Sequence, residues 1–355
     1  MRTAIVFVGL TLALAAAAVP GLALVGCAAM QKPAEPKIAS ESYLIPSSDA
    51  GIQLYIRNKH AEGMSRSSAE RTVIYVHGTT QGSESTFDLS LDGFSWMDYL
   101  AARGYDVYLL DLRGYGRSSR PPEMDQPAAN NPPIVRTNTA IKDLASAIAH
   151  VLARRGINSL DVIGWSWGAT IAGAYAAEHN DKVNRLVLYA PQWVRDGAIG
   201  GPGALGAYQT WTPQQARDRM QTGAPEGKKD DLFPPAWFRQ WSAAALATDP
   251  VGSTQNPPVV RTPNGSPQDM RDYWFAGKAY WDPSRVIAPT LVVRGEWDGV
   301  STIPEALSVF SALSNARLKR LVVIGAGSHM MLLEKNREQL FREVQLFLDE
   351  ATPSN

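Results

Sequence analysis

Six short runs of aliphatic and β-branched residues recur along the 355-residue chain, and none of them alternates apolar with polar. They are Thr72–His77, Val107–Asp111, Ser159–Ile163, Arg185–Tyr189, Thr290–Val293 and Lys319–Ile324. A strand with one wet face alternates, whereas a strand covered on both faces does not. Helical patterns separate the runs: Phe94–Arg103, Thr139–Arg155 with Ile141, Leu144, Ile148, Val151 and Leu152 on one stripe, the small-residue stretch Ala169–His179, and Arg337–Glu350. Strands alternating with helices predict an α/β fold with a doubly wound, mostly parallel sheet. Ser42–Ile45 and Ile52–Lys59 read as an opening hairpin across Ser48-Asp49-Ala50-Gly51. Between Tyr189 and Thr290 lies a Pro- and Gly-rich interval too long for a structureless loop, so it predicts an inserted subdomain.

Composition narrows the function classes. With 34 basic against 34 acidic residues there is no cationic excess to displace counterions from nucleic-acid phosphates. A single cysteine leaves no intrachain disulfide and no Cys-based zinc site. That cysteine, Cys27, closes an apolar stretch, Ala4–Leu24, which follows the cationic start Met1-Arg2-Thr3. A short positive start before an apolar run reads as an export signal. Its end, Leu24-Val25-Gly26-Cys27, resembles the bacterial lipobox, which implies cleavage before Cys27 and lipidation of its thiol. The expected organisation is a signal over residues 1–26, a tether over 27–40, a first core segment over 41–191, a lid over 192–283 and a second core segment over 284–355. Ala28 is not the acidic residue that retains some lipoproteins at the inner membrane, so the expected place is the outer membrane of a Gram-negative envelope. A soluble periplasmic or secreted protein is the alternative.

The chemistry is concentrated in Gly164-Trp165-Ser166-Trp167-Gly168, between an expected strand and an expected helix. On a sharp strand-to-helix turn a serine hydroxyl stands out over the sheet, and glycines two before and two after let the backbone pass closely. The first free N–H groups of the helix then face whatever the hydroxyl attacks. Serine is a weak nucleophile and needs a base. Of five histidines, His329 in Gly325-Ala326-Gly327-Ser328-His329 follows the last expected strand, where groups converge over an open sheet. The carboxylate that should orient its ring is Asp298 in Arg294-Gly295-Glu296-Trp297-Asp298-Gly299, with Glu296 the nearest rival and Asp196 a weaker one.

The chain order Ser166, Asp298, His329 resembles the α/β-hydrolase superfamily over about Tyr43–Leu348. The resemblance implies an eight-stranded-type sheet with a helical lid inserted before the last strands. It also implies an oxyanion hole formed by the N–H groups of Thr79 and Trp167, the former in His77-Gly78-Thr79-Thr80. His77 would then orient that loop, and Asp111-Leu112-Arg113-Gly114-Tyr115-Gly116-Arg117-Ser118 would be scaffold. The reaction expected is acyl transfer to water, with no metal and no cofactor.

Six of the ten tryptophans fall in the insertion: Trp193, Trp211, Trp237, Trp241, Trp274 and Trp281. They suit either an aromatic core or an aromatic slot, and Trp165, Trp193 and Trp297 are the candidate slot residues. Such a slot prefers a hydrophobic, uncharged ester, lactone or amide as its small-molecule substrate. The insertion's carboxylates, Asp230, Asp231, Asp249, Asp269 and Asp272, are expected in solvent. Trp167 also resembles the residue after the nucleophile in proline iminopeptidases, which makes an aminopeptidase the second reading. A lipoprotein that keeps the fold only to bind, or uses the tryptophans as an interaction surface, is the third.

Overall fold

The structure, a computed structural model, describes residues 36–195 and 203–351. The expected export signal, Cys27 and the tether as far as residue 35 lie outside the described residues, as does Asp196. The strands are β1 (Ile38–Pro46), β2 (Gln53–Ala61), β3 (Thr72–Val76), β4 (Asp106–Asp111), β5 (Leu160–Trp165), β6 (Val183–Tyr189), β7 (Tyr208–Trp211), β8 (Val260–Pro263), β9 (Thr290–Gly295) and β10 (Lys319–Ile324). Among the described residues eight of them form one sheet in the order β1-β2-β4-β3-β5-β6-β9-β10. β1–β2 and β2–β4 pair antiparallel, and every pair from β4 to β10 is parallel. This is the mostly parallel α/β sheet that the runs predict. The opening hairpin is longer than expected: Ile38 already pairs with Ala61, so the stretch expected as tether ends inside a strand.

The inner parallel strands lack alternation because both faces are covered, whereas β10, at the edge of the sheet, is mostly only partly buried, contrary to the expectation for Lys319–Ile324. Every residue of β3, β4, β5 and β9 is buried. The helix Thr137–Arg155 ends at Gly156, whose φ of 65° is left-handed and terminates it. The helix Trp167–Glu178 is buried along nearly its whole length, which its small residues permit: a Cβ on Gly173 would overlap the ring of Trp281. The helix Ile303–Ala312 has no counterpart in the sequence reading. Its proline, Pro304, lies in the first turn, where a proline is tolerated, and Thr302 with Glu305 forms a capping box ahead of it.

The interval between β6 and β9 is more than helical. It holds the helices Pro213–Met220, Pro235–Ala247 and Gly265–Asp272, together with an antiparallel ribbon of β7 and β8. Trp237, Trp241, Trp274 and Trp281 are buried, but in two places: Trp274 and Trp281 join the core on one face of the main sheet, and Trp237 and Trp241 the core on the other. Two carboxylates depart from the solvated state expected of them. Asp249 is fully enclosed and accepts from Arg261 Nη2 at 2.8 Å and from the Arg261 and Gly252 amides. Asp269 is buried under Arg136 and accepts the Thr137 amide and hydroxyl, both at 2.7 Å. Each is the counter-ion of an arginine donated from elsewhere in the chain, a pairing that local sequence does not reveal. Asp230, Asp231 and Asp272 have open side chains, as expected.

At the opposite end of the sheet Asp161 is fully buried, with one oxygen accepting from Asn184 at 2.7 Å and the other unpartnered. Burial pushes its carboxyl up to about 8. The folded chain therefore holds a proton that the unfolded chain releases near the ordinary carboxylate range, and stability falls as pH rises from about 4 towards 8. Asp161→Asn keeps the shape and removes the titration. The variant's melting temperature should decline less than that of the wild type between pH 5 and 9, measured by thermal denaturation.

Candidate active site

Four loops leave the carboxyl ends of β3, β5, β9 and β10 and meet above the sheet, the position where doubly wound sheets hold their ligands. β5 is flanked by β3 on one side and by β6, then β9 and β10, on the other. The loop after β5 is the sharpest. Ser166 has φ 58° and ψ −119°, a strained combination for a residue with a side chain. Its glycines are required by contact rather than by their own torsions. A Cβ on Gly164 would overlap the Gly168 carbonyl, and one on Gly168 would overlap the carbonyls of Val76 and His77.

The three expected side chains meet. His329 Nε2 lies 2.9 Å from Ser166 Oγ, and His329 Nδ1 lies 2.8 Å from Asp298 Oδ2. An ionised carboxylate only accepts, so Nδ1 carries the proton and Nε2 is left to accept from the serine hydroxyl. The second Asp298 oxygen accepts the amides of Val300 and Ser301 at 2.9 and 2.8 Å, which fixes its orientation. All three residues are buried. Glu296, the rival acid, is exposed and accepts instead from the Ala326 amide at 2.9 Å. Asp196 lies outside the described residues.

The loop after β3 runs against the nucleophile: a Cβ on Gly78 would stand 3.0 Å from Ser166 Cβ. Within the described residues the Thr79 and Trp167 N–H groups make no backbone contact outside regular elements, and no side chain caps the helix that starts at Trp167. These amides are therefore available to an oxyanion. His77 orients this loop, with Nδ1–H donating to the Gly78 carbonyl at 2.7 Å and Nε2 accepting the Leu112 amide at 3.1 Å. Burial lowers its pKa to about 4, so the ring is neutral and its tautomer is set by those two partners. Asp111 is likewise structural, accepting the amides of Ser83 and Arg117.

The tryptophans divide by contact. Trp165 is 2% exposed, stacks on Tyr189 and donates from Nε1 to the His329 carbonyl at 3.0 Å. It buttresses the histidine loop and presents no wall to a substrate. Trp193 is buried edge-on against Trp281. Trp297 is half-buried on the acid loop, and its amide donates to the Gly327 carbonyl. Trp211 and Trp241, in the insertion, flank a narrow apolar crevice that reaches Thr80 and Gln81 on the β3 loop.

Two further features matter and have no motif of their own. The turn Met220–Gly223 of the insertion bridges the acid and base loops, because Met220 O accepts the His329 amide at 3.1 Å and Thr222 O accepts the Gly299 amide at 2.7 Å. Glu334, wholly buried, accepts the Ser328 amide at 3.0 Å and the Ser328 hydroxyl at 2.5 Å, and is joined by Gln221 from that same turn. Burial raises its pKa. Its only sequence signal is an acidic residue five positions after the histidine, which nothing distinguishes from a surface glutamate. Glu334→Ala leaves both Ser328 donors unmet and should cost about 1–3 kcal/mol. The test is a lowered urea midpoint at unchanged denaturant slope.

Comparison with known proteins agrees with this architecture. A sequence-family model described as alpha/beta hydrolase fold matches residues 71–336. Epoxide hydrolase B of Mycobacterium tuberculosis is 33% identical over 116 residues, 31% of this chain but only 29% of that protein, so the chain spans well under half the length of that relative. A proline iminopeptidase of Xylella fastidiosa is 38% identical over 254 residues, 63% of this chain and 74% of the other. Among solved structures, a thermophilic esterase from Thermogutta terrifontis superposes with a TM-score of 0.58 at 16% identity, covering 88% of this chain and all of that one.

Proposed function

The chain belongs to the alpha/beta hydrolase fold family, and on that premise we propose that it is a serine hydrolase that cleaves an apolar or aromatic ester or lactone through an acyl-enzyme. The observation that carries the reading is the unbroken relay from Asp298 through His329 to Ser166, with contacts of 2.8 and 2.9 Å in a buried setting. Ser166 Oγ attacks the substrate carbonyl carbon while its proton passes to His329 Nε2. The carbonyl oxygen takes up the negative charge against the Thr79 and Trp167 amides. Asp298 stabilises the imidazolium without taking its proton. Nε2 then protonates the departing oxygen, and a water repeats the sequence to release the acid and restore the hydroxyl.

The relatives' names mark the alternatives. Epoxide opening in this fold uses a carboxylate at the elbow, where this chain has Ser166. A proline iminopeptidase must hold a substrate ammonium, and the similarity to one of them keeps that reading second. Against it, the two enclosed carboxylates of the insertion, Asp249 and Asp269, already neutralise Arg261 and Arg136.

A fluorophosphonate probe should label the wild type and leave Ser166→Ala unlabelled; an unlabelled wild type overturns the reading. Asp298→Asn should lower kcat on p-nitrophenyl esters by roughly 10⁴-fold, through loss of the tautomer that leaves Nε2 free to accept. Prolyl p-nitroanilide turned over faster than any ester would establish the aminopeptidase instead.

We also propose that the enzyme is exported and anchored to the bacterial envelope, the outer membrane in a Gram-negative host, through a lipid on Cys27. The support is the apolar stretch ending at the chain's sole cysteine. Cys27→Ser should move the protein from the membrane to the soluble fraction, and a wild type already soluble contradicts the anchor.

A further inference from the structure

The two proposed oxyanion donors, the amides of Thr79 and Trp167, belong to loops far apart in the chain, yet both residues are tied by their side chains to one helix of the insertion. On the helix Gly265–Asp272, Ser266 and Asp269 stand at positions i and i+3 and so share a face. Both are buried. The Ser266 and Thr79 hydroxyls lie 2.8 Å apart, one donating to the other. Asp269 reaches the second donor through one intermediate. Its Oδ2 accepts the Thr137 hydroxyl at 2.7 Å, and Thr137 Oγ1 in turn accepts Trp167 Nε1–H at 2.8 Å. An indole has that one N–H to give, so this bond sets where the buried Trp167 ring lies.

The joint that carries this grip is tightly built. Asp269 Oδ2 also accepts the amide of Thr137, the first residue of the helix Thr137–Arg155, at 2.7 Å, and Oδ1 accepts Arg136 Nε at 2.5 Å. A carboxylate at a helix N-terminus is favourable and fixes where that helix begins. A Cβ on Gly265 would overlap the Val135 carbonyl, so the two segments meet backbone to backbone. Val135 stands at φ 54°, which a β-branched residue adopts only where its surroundings impose it. Docking of the insertion on the core accounts for the ion pair between Arg136 and Asp269. It does not account for where the other contacts fall. Among the described residues, the side chains of Gly265–Asp272 hydrogen bond beyond the insertion only to Thr79, Arg136 and Thr137. Thr79 carries one proposed donor, and Thr137 holds the ring of the residue that carries the other.

We infer that Ser266 and Asp269 are positioning residues that aim the Thr79 and Trp167 amides at the oxyanion. The inference rests on the serine-hydrolase reading and deepens it. Each residue acts through another, Ser266 through Thr79 and Asp269 through Thr137 and Trp167. Oxyanion donors work only when set about 2.7–3.1 Å from where the charge develops. A displacement of about 1 Å slows an enzyme roughly 100-fold. The amides gain strength as the negative charge forms, so loosening them slows the chemical step and leaves substrate binding unchanged. The insertion then serves both halves of the site: its Met220–Gly223 turn joins the acid and base loops, and this helix holds the oxyanion side.

The test follows p-nitrophenyl butyrate hydrolysis in Ser266→Ala, Thr79→Val and the double variant, with active enzyme counted by fluorophosphonate labelling. Each single variant should lower kcat per labelled site about 10-fold at unchanged KM. The double variant should be no slower than the slower single one, because both substitutions remove the same contact. Thr79→Ser keeps the hydroxyl and should stay near the wild-type kcat. On the other arm, Thr137→Val breaks the path from Asp269 to Trp167 and should show the same split between kcat and KM. A trifluoromethyl ketone, whose adduct with Ser166 sets an oxyanion between the two amides, should bind more weakly by the factor that kcat loses. A merely structural role would reduce the number of labelled sites and leave both kcat per site and inhibitor affinity alone. Wild-type kcat and inhibitor affinity in Ser266→Ala or in Thr137→Val overturn the assignment of that arm, and so does a loss confined to KM. A double variant slowed by the product of the two single effects overturns the Ser266–Thr79 coupling. A wild type that the probe does not label removes the hydrolase reading and the inference with it, whereas a labelled wild type with undiminished variants overturns the inference alone.

Discussion

A single left-handed residue on a strand-to-helix turn organises this site. Ser166, at φ 58°, is held there by carbonyls packed against Gly164 and Gly168 with no room for a methyl group. Strain of this kind persists only where its surroundings over-determine it. Here β5 and the buried helix Trp167–Glu178 fix the turn from both sides. The consequence is twofold. The hydroxyl projects above the sheet towards His329, and the first amide of the helix stays free beside it. The proposed oxyanion donor and nucleophile thus sit on adjacent residues, and only the second proposed donor comes from elsewhere.

The remaining parts are positioned by backbone contacts. The acid and base loops leave neighbouring parallel strands, β9 and β10, which brings Asp298 and His329 to one rim. Their separation is then set by the insertion: its Met220–Gly223 turn accepts an amide from each loop, and Gln221 reaches the buried Glu334 that grips Ser328. The first helix of the insertion is thereby part of the frame of the site.

Buried carboxylates in the insertion are met by arginines. Asp249 is enclosed together with Arg261, and Asp269 is buried beneath the partly exposed Arg136, each carboxylate also accepting from amide or hydroxyl donors. The tryptophans follow a different logic, most of them being buried in the two cores that flank the main sheet.

How much was legible in the chain depended on the distance over which each feature is determined. The central strands could be read because burial on both faces removes alternation locally. Gly164-Trp165-Ser166-Trp167-Gly168 could be read because close packing at the turn demands glycines at fixed offsets. Asp298 and His329 could be singled out because each follows its own strand. The ribbon of β7 and β8 escaped, since two four-residue strands leave no periodic signature. The pairing of Asp249 with Arg261, the burial of Glu334 and the retreat of Trp165 behind the imidazole escaped for the same reason: each is a relation between positions, and a linear pattern records only what lies within a few residues. Residue type and local spacing alone determined which strands are buried, where the turn must be and which groups can react. Only the folded chain decided which charges neutralise one another, because counter-ions are chosen by proximity in space.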